Sequence, residues 1–151
     1  MNIRLANKFD QPEILEMLRH FREQTPIEDI KHCDNAEYIS SLYHALLIGG
    51  GIALVCEIND KIVGMILGII EQSIWDPDKF LLRELVYWVE PEARGTTAGY
   101  RLLKEYNKLA EQLKEQKRIQ MYTMTKMVNS PDIDFNRFGY RKIEEVWVAG
   151  A

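Results

Sequence analysis

At 151 residues the chain has the length of one domain, 1–151, and 46% hydrophobic with 28% charged residues is the composition of a soluble globular protein. Its longest apolar run, Ile62 to Ile70, is nine residues with two glycines, far short of the roughly 20 that cross a bilayer. A net charge of −4 speaks against nucleic acid as the main partner, and no signal-peptide pattern follows Met1-Asn2-Ile3-Arg4, so the expectation is a cytoplasmic protein without membrane attachment.

In chain order, Asn2 to Ala6 alternates as a first strand. Asp10 opens an Asp-x-x-Glu pattern with Glu13, and Pro12 is tolerated in a first helical turn. Ile14, Leu15, Leu18 and Phe21 then form one apolar stripe, which predicts a helix from about Gln11 to Glu23. Pro26 interrupts the chain. A second Asp-x-x-Glu, Asp34 to Glu37, opens another helix that Gly49-Gly50-Gly51 closes. Ile52 to Ile58 and Lys61 to Ile70 read as paired strands across Asn59-Asp60, a hairpin turn lacking the usual glycine. Phe80 to Val89 has few polar interruptions and reads as a central strand covered on both faces. A helix from about Ala98 to Gln116, a strand from Arg118 to Met124, a short helix from Asp132 to Phe138 and a last strand from Tyr140 to Val148 complete the chain. Hairpins combined with crossover helices make a mixed sheet.

The segment after the central strand is the most informative. Val89-Glu90-Pro91-Glu92 leads into Arg94-Gly95-Thr96-Thr97-Ala98-Gly99-Tyr100. Strand, small-residue turn and helix start together form an anion cradle, because turn amides and the positive end of a helix dipole serve one place. Gly95, Ala98 and Gly99 permit close backbone approach, and Thr96 and Thr97 offer hydroxyls. The two cysteines are unlike: Cys56 sits in a strand run as a small core residue, and Cys33 beside His32 lacks a second pair at ligand spacing, so no metal is expected.

This segment resembles the coenzyme A signature of the GNAT N-acetyltransferase superfamily, and the element order is similar to that fold over nearly the whole chain. The resemblance implies an α/β (α+β) fold with a mixed, mostly antiparallel central sheet flanked by helices. Phe135-Asn136-Arg137-Phe138-Gly139-Tyr140 is similar to the family's Phe/Tyr-x-x-x-Gly-Phe/Tyr segment. Asn129 falls where the family often contacts the pantetheine arm. One position departs from the family: Thr97 stands for the usual middle glycine. A β-branched residue is strained at positive φ, so either the loop avoids that conformation or the Thr97 hydroxyl takes over part of the phosphate contact.

The resemblance implies transfer of an acetyl group from acetyl-CoA to a primary amine of a small molecule or protein, in a possible homodimer. A lysine-like amine with a pKa of about 10.4 must lose a proton, and the thioester oxygen must be stabilised as it gains charge. Backbone amides of Trp88 and Val89 are the expected oxyanion donors. Glu84 is the expected base, as the one carboxylate inside the apolar strand, and it shares a face with Trp88 if no bulge intervenes. Glu71 is the second choice. The family often uses a tyrosine as acid where this chain has Phe135, leaving Tyr122, Tyr140 or unaided thiolate departure. Tyr43, Trp75, Tyr87 and Trp88 are candidate acceptor-pocket aromatics or core residues, and Arg101 a candidate phosphate contact or surface residue. A non-catalytic acyl-CoA-binding module is the alternative. A nucleotide-binding protein is disfavoured, since no Gly-Lys-Ser/Thr follows the loop.

Overall fold

The structure is a computed structural model that describes residues 1–151. Five strands form one sheet in the order β1-β2-β3-β4-β5: β1 (Asn2–Leu5), β2 (Gly51–Ile58), β3 (Lys61–Gln72), β4 (Phe80–Val89) and β5 (Met121–Thr123). Four helices flank it: α1 (Gln11–Glu23), the single turn α2 (Glu28–Lys31), α3 (Ala36–Ala45) and α4 (Ala98–Glu115). The sheet is antiparallel from β1 to β4, and β5 joins β4 in parallel.

The β2–β3 hairpin turns at Asn59 and Asp60 with φ of 51° and 62°. Both residues thus sit in the left-handed region, where short polar side chains replace the usual glycine. Gly51 faces Gly68 so closely that a Cβ on Gly51 would collide with the Gly68 carbonyl oxygen. The strand pair therefore needs glycine there, whatever the conformational cost of glycine in a strand.

Two cores lie on opposite faces of the sheet. One packs Leu54, Ile66 and Leu82 against Leu102, Leu103 and Tyr106 of α4; the other packs Val55, Met65, Val86 and Trp88 against Ile14 and Met17 of α1 and Tyr43 of α3. Residues Val63–Leu67 of β3 are buried throughout, which matches their unbroken apolar run.

The helix starts differ from the sequence expectation. Asp10 makes no side-chain cap for α1. Its carboxylate instead accepts two hydrogen bonds from Arg4, at 2.7 and 2.8 Å, and one from the Asn7 amide. Asn7 and Asp10 close a capping box on the 3-10 turn Lys8–Asp10. The cap of α3 is Asn35, which accepts from the Tyr38 amide, not Asp34. For α1 the acidic residue marks the helix start, but the two bonds from the Arg4 guanidinium take up the Asp10 carboxylate that would otherwise cap it.

The last strand expected from sequence is absent. Arg141–Ala151 has no strand pairing and is exposed throughout. The fifth strand is also shorter than expected, three residues against the predicted span from Arg118 to Met124. The short helix is a 3-10 turn at Phe135–Phe138, stopped by Gly139 at φ 88°.

Candidate active site

β4 and β5 pair only through Leu81, Leu82 and Arg83, and then part. From Glu84 onward one edge of β4 has no strand beside it. Just past the fork, β4 carries a bulge: Glu84 stands opposite Gly68 and Val86 opposite Leu67, leaving Leu85 as the extra residue. Leu82 lies in the α4-side core, whereas Val86 and Trp88 lie in the α1- and α3-side core. Simple alternation from Leu82 places Glu84 with α4, so the bulge separates Glu84 from Trp88 across the sheet. The condition under which the two would share a face is not met.

Glu84 is 4% exposed. Its Oε2 accepts from the Thr125 amide at 3.1 Å and the Thr125 hydroxyl at 2.6 Å. Burial pushes the Glu84 pKa above the ordinary carboxylate value, against the opposing pull of those two bonds. Thr125 belongs to the chain leaving β5, so this carboxylate bridges the fork. Arg83 does not pair with Glu84; it holds Glu71 at 2.9 Å in an exposed ion pair.

The turn that follows β4 delivers the chain into α4. Pro91–Ala93 is a 3-10 turn, Arg94 follows, and Thr97 stands at the N-cap position of α4 with φ −85° and ψ 9°, its side chain making no cap hydrogen bond. Thr97 therefore avoids positive φ, and a β-branched residue fits without strain. Thr96 organises the turn: its hydroxyl donates to the Ala93 carbonyl at 2.6 Å and accepts from the Ala98 amide at 3.2 Å. The amides of Gly95, Thr97, Gly99 and Tyr100 donate to no protein acceptor. Unpaired amides at the positive end of an 18-residue helix are groups to which an anion can bind. A Cβ at Gly95 would meet nothing within 4 Å, so space is open beside that residue, whereas the Tyr87 hydroxyl lies beside Gly99 and the Met1 sulfur beside Thr97.

Other expected residues take more structural places. The Arg94 guanidinium donates to the Val89 carbonyl at 2.9 Å and lies 4.6 Å over the Trp88 ring. The Glu90 amide donates to the Val63 carbonyl of β3, at 2.8 Å. Alternation then turns the Trp88 amide to β3 as well and the Val89 amide to the open edge. Asn129 donates to the Gln24 carbonyl at 2.6 Å, tying the loop after β5 to the end of α1. Phe135 packs against Tyr140, which packs against Tyr122. Tyr43 is buried with its hydroxyl on the Asn7 carbonyl, and Tyr87 donates to the Gly99 carbonyl. Trp75 is exposed on the β3–β4 loop.

The sequence reading missed one pair. Glu90, 8% exposed, holds His20 of α1 with Oε1 2.8 Å from Nδ1. With Glu23, Gln24, Trp88 and Pro91 they line a cleft of about 320 Å³ at the end of β4. The two residues stand 70 apart in sequence, so no local spacing reveals them. The hydrogen bond to Glu90 raises the His20 pKa above its usual value, aided by the charge of Glu16 and opposed by desolvation and by Arg19. A raised folded-state pKa adds stability below the unfolded value of about 6.5, and this is lost as pH rises through the folded one. His20→Gln should therefore lower the melting temperature most near pH 6 and least near pH 9. Equal lowering at both values would show that the contact is packing alone.

Comparison with known proteins agrees with this geometry. The model of the acetyltransferase (GNAT) family matches residues 14–140. No curated protein matches the chain. Among solved structures, a predicted acetyltransferase from Clostridium acetobutylicum, solved with acetyl-CoA, superposes with TM-score 0.74 at 14% identity, covering 99% of this chain and 95% of that one. A Trypanosoma brucei acetyltransferase gives TM-score 0.70 at 17% identity, covering 99% of both chains. An aminoglycoside acetyltransferase from an uncultured soil metagenomic sample, solved with sisomicin, gives 0.66 at 18% identity, covering 98% of this chain and 92% of that one. At these identities the likeness is one of fold, while the family model spans most of the sequence: the chain belongs to the GNAT acetyltransferase family.

Proposed function

We propose that this protein is an acetyl-CoA-dependent N-acetyltransferase acting on a primary amine of a small molecule or a protein. The observation that carries the reading is the set of unpaired amides at Gly95, Thr97, Gly99 and Tyr100, which stand beside the open edge of β4. They fit the diphosphate of coenzyme A, whose oxygens accept from backbone N–H groups at a helix start. Thr96 and Ala98 shape that cradle through their own hydrogen bonds, and the Thr97 hydroxyl, 3.7 Å from the Met1 sulfur, is the side-chain donor it adds. The open edge of β4 offers the Val89 amide to an extended acyl arm, and the family resemblance adds Asn129 and Phe135, which here bond the Gln24 carbonyl and pack on Tyr140. When bound, acetyl-CoA supplies an activated thioester.

Glu84 is the proposed base. Its carboxylate sits at the fork, and burial keeps its proton affinity nearer the working range than an exposed carboxylate. Neither nearby tyrosine is poised as an acid. Burial and the hydrogen bond to Glu111 push Tyr122 up to about 12, and burial pushes Tyr140 up as well. A thiol with a pKa near 8.5 leaves without help. The neighbour solved with sisomicin acts on an aminoglycoside, which supports an amine acceptor without naming this one.

The position of Phe135, a ring with no hydroxyl, favours a second reading as a non-catalytic acyl-CoA-binding module. Release of free thiol from acetyl-CoA across a panel of amines decides between them. Amine-dependent release is expected; tight coenzyme binding with no release for any amine would leave the module.

A further inference from the structure

We propose that Tyr106 is a positioning residue for Glu84: its hydroxyl donates to Oε1 of the ionised carboxylate and holds it ready to take a proton. This role rests on the reading of Glu84 as the base. Tyr106 is fully buried in the α4-side core, yet its hydroxyl has no hydrogen-bond partner. Burying a hydroxyl unpaired is costly, and a phenylalanine ring fills the same space without that cost. The hydroxyl therefore calls for an acceptor beside it.

The strand register supplies one. A Cβ on Gly68 would collide with the Tyr106 hydroxyl, so that oxygen stands where a Gly68 side chain would begin. Gly68 of β3 lies directly opposite Glu84 of β4. Residues so paired send their side chains to one face, with Cβ atoms about 4.5 to 5.5 Å apart. The hydroxyl and Glu84 are thus neighbours on the α4 face, and the length of a glutamate side chain spans the gap. The carboxylate has room for the bond. Thr125 occupies Oε2, while Oε1 accepts from no protein group. A carboxylate has about four acceptor sites, so bonds from Thr125 and Tyr106 still leave one for the proton of the amine.

The other titratable and charged groups around Glu84 have partners elsewhere. Arg83 of β4 holds Glu71 of β3, and Lys126, beside Thr125, holds Asp132. Tyr122 of β5 donates to Glu111 of α4, Tyr140 to Asn107, and Tyr87 to the Gly99 carbonyl. Burial, then the charge of Glu84, push the Tyr106 pKa up, so Tyr106 stays a donor at every working pH. A donor to the ionised form favours ionisation, so Tyr106 opposes the effect of burial on Glu84.

Tyr106→Phe removes the hydroxyl, keeps the ring and breaks no hydrogen bond of the folded chain, so circular dichroism should match the wild type. Carbon-13 resonance of the Glu84 carboxyl, assigned by its absence in Glu84→Gln, follows ionisation in the full chain without substrate. Its midpoint in Tyr106→Phe should move to higher pH by about one unit or more, the worth of one hydrogen bond to a charged group. The acid limb of the acetyl-transfer rate should move with it, a loss of roughly tenfold on that limb that fades toward alkaline pH. A hydroxyl that only fills space would leave the carboxyl midpoint in place, and that result overturns the proposal. A midpoint that moves while the rate profile stays fixed upholds the contact and removes Glu84 as the base.

Discussion

Gly95→Glu is expected to remove acetyl-CoA binding while leaving the melting temperature near that of the wild type. Gly95 has open space where a side chain would begin and is not among the glycines at positive φ, so the substitution brings no clash. It does bring a carboxylate to the amides that have no protein partner. Losing two hydrogen bonds to a charged ligand costs about 3 to 6 kcal/mol, or roughly a hundredfold to ten-thousandfold in affinity. Like-charge repulsion adds to that loss. Gly99 is the less clean probe: a Cβ there would sit 3.1 Å from the Tyr87 hydroxyl, which itself bonds the Gly99 carbonyl. Calorimetric titration with coenzyme A reads the effect. Unchanged affinity in a folded Gly95→Glu protein would remove the cradle from the account.

The second large effect is on turnover. Glu84→Gln is expected to slow acetyl transfer by roughly a hundredfold to ten-thousandfold, the usual contribution of a positioned base. Coenzyme affinity should hardly change, because the amide oxygen of glutamine still accepts from Thr125. The pH dependence separates a base from a mere bridge. In the wild type the rate should climb as Glu84 ionises, at a pH above the ordinary carboxylate range. That limb should vanish in the variant. Stability runs the other way. The folded-state pKa lies above the unfolded one, so stability from the protonated form is lost as pH rises through the folded value. The variant should escape that loss. A rate within a factor of about two of wild type at neutral pH would assign Glu84 to structure alone.

The strongest periodic segments were legible to the residue. α1 at Gln11–Glu23 and β4 at Phe80–Val89 have the bounds their apolar patterns predict. Each is long enough for the pattern to repeat, and each buries one clear stripe or a near-continuous run. The strand, turn and helix start around Gly95 were legible because they are local, following one another within a dozen residues. What was not legible depends on distant partners. The bulge at Leu85 exists only as a mismatch of count between β3 and β4, and neither strand announces it alone. Asp10 reads as a cap until Arg4 is folded beside it. His20 and Glu90 meet only because α1 runs back along the sheet to the end of β4. The segment after Tyr140 has the residues of a strand but pairs with none, because a strand depends on a distant partner that its own residues do not announce.

The account rests on main-chain amides at the start of α4 receiving a diphosphate. Amide chemical shifts in nitrogen-15-labelled protein, followed as coenzyme A is added, report on those groups one by one. The expected result is large shifts at Gly95, Thr97, Gly99 and Tyr100, with small ones over α3 and the β2–β3 hairpin. Saturable binding that leaves these four amides unmoved would contradict the account.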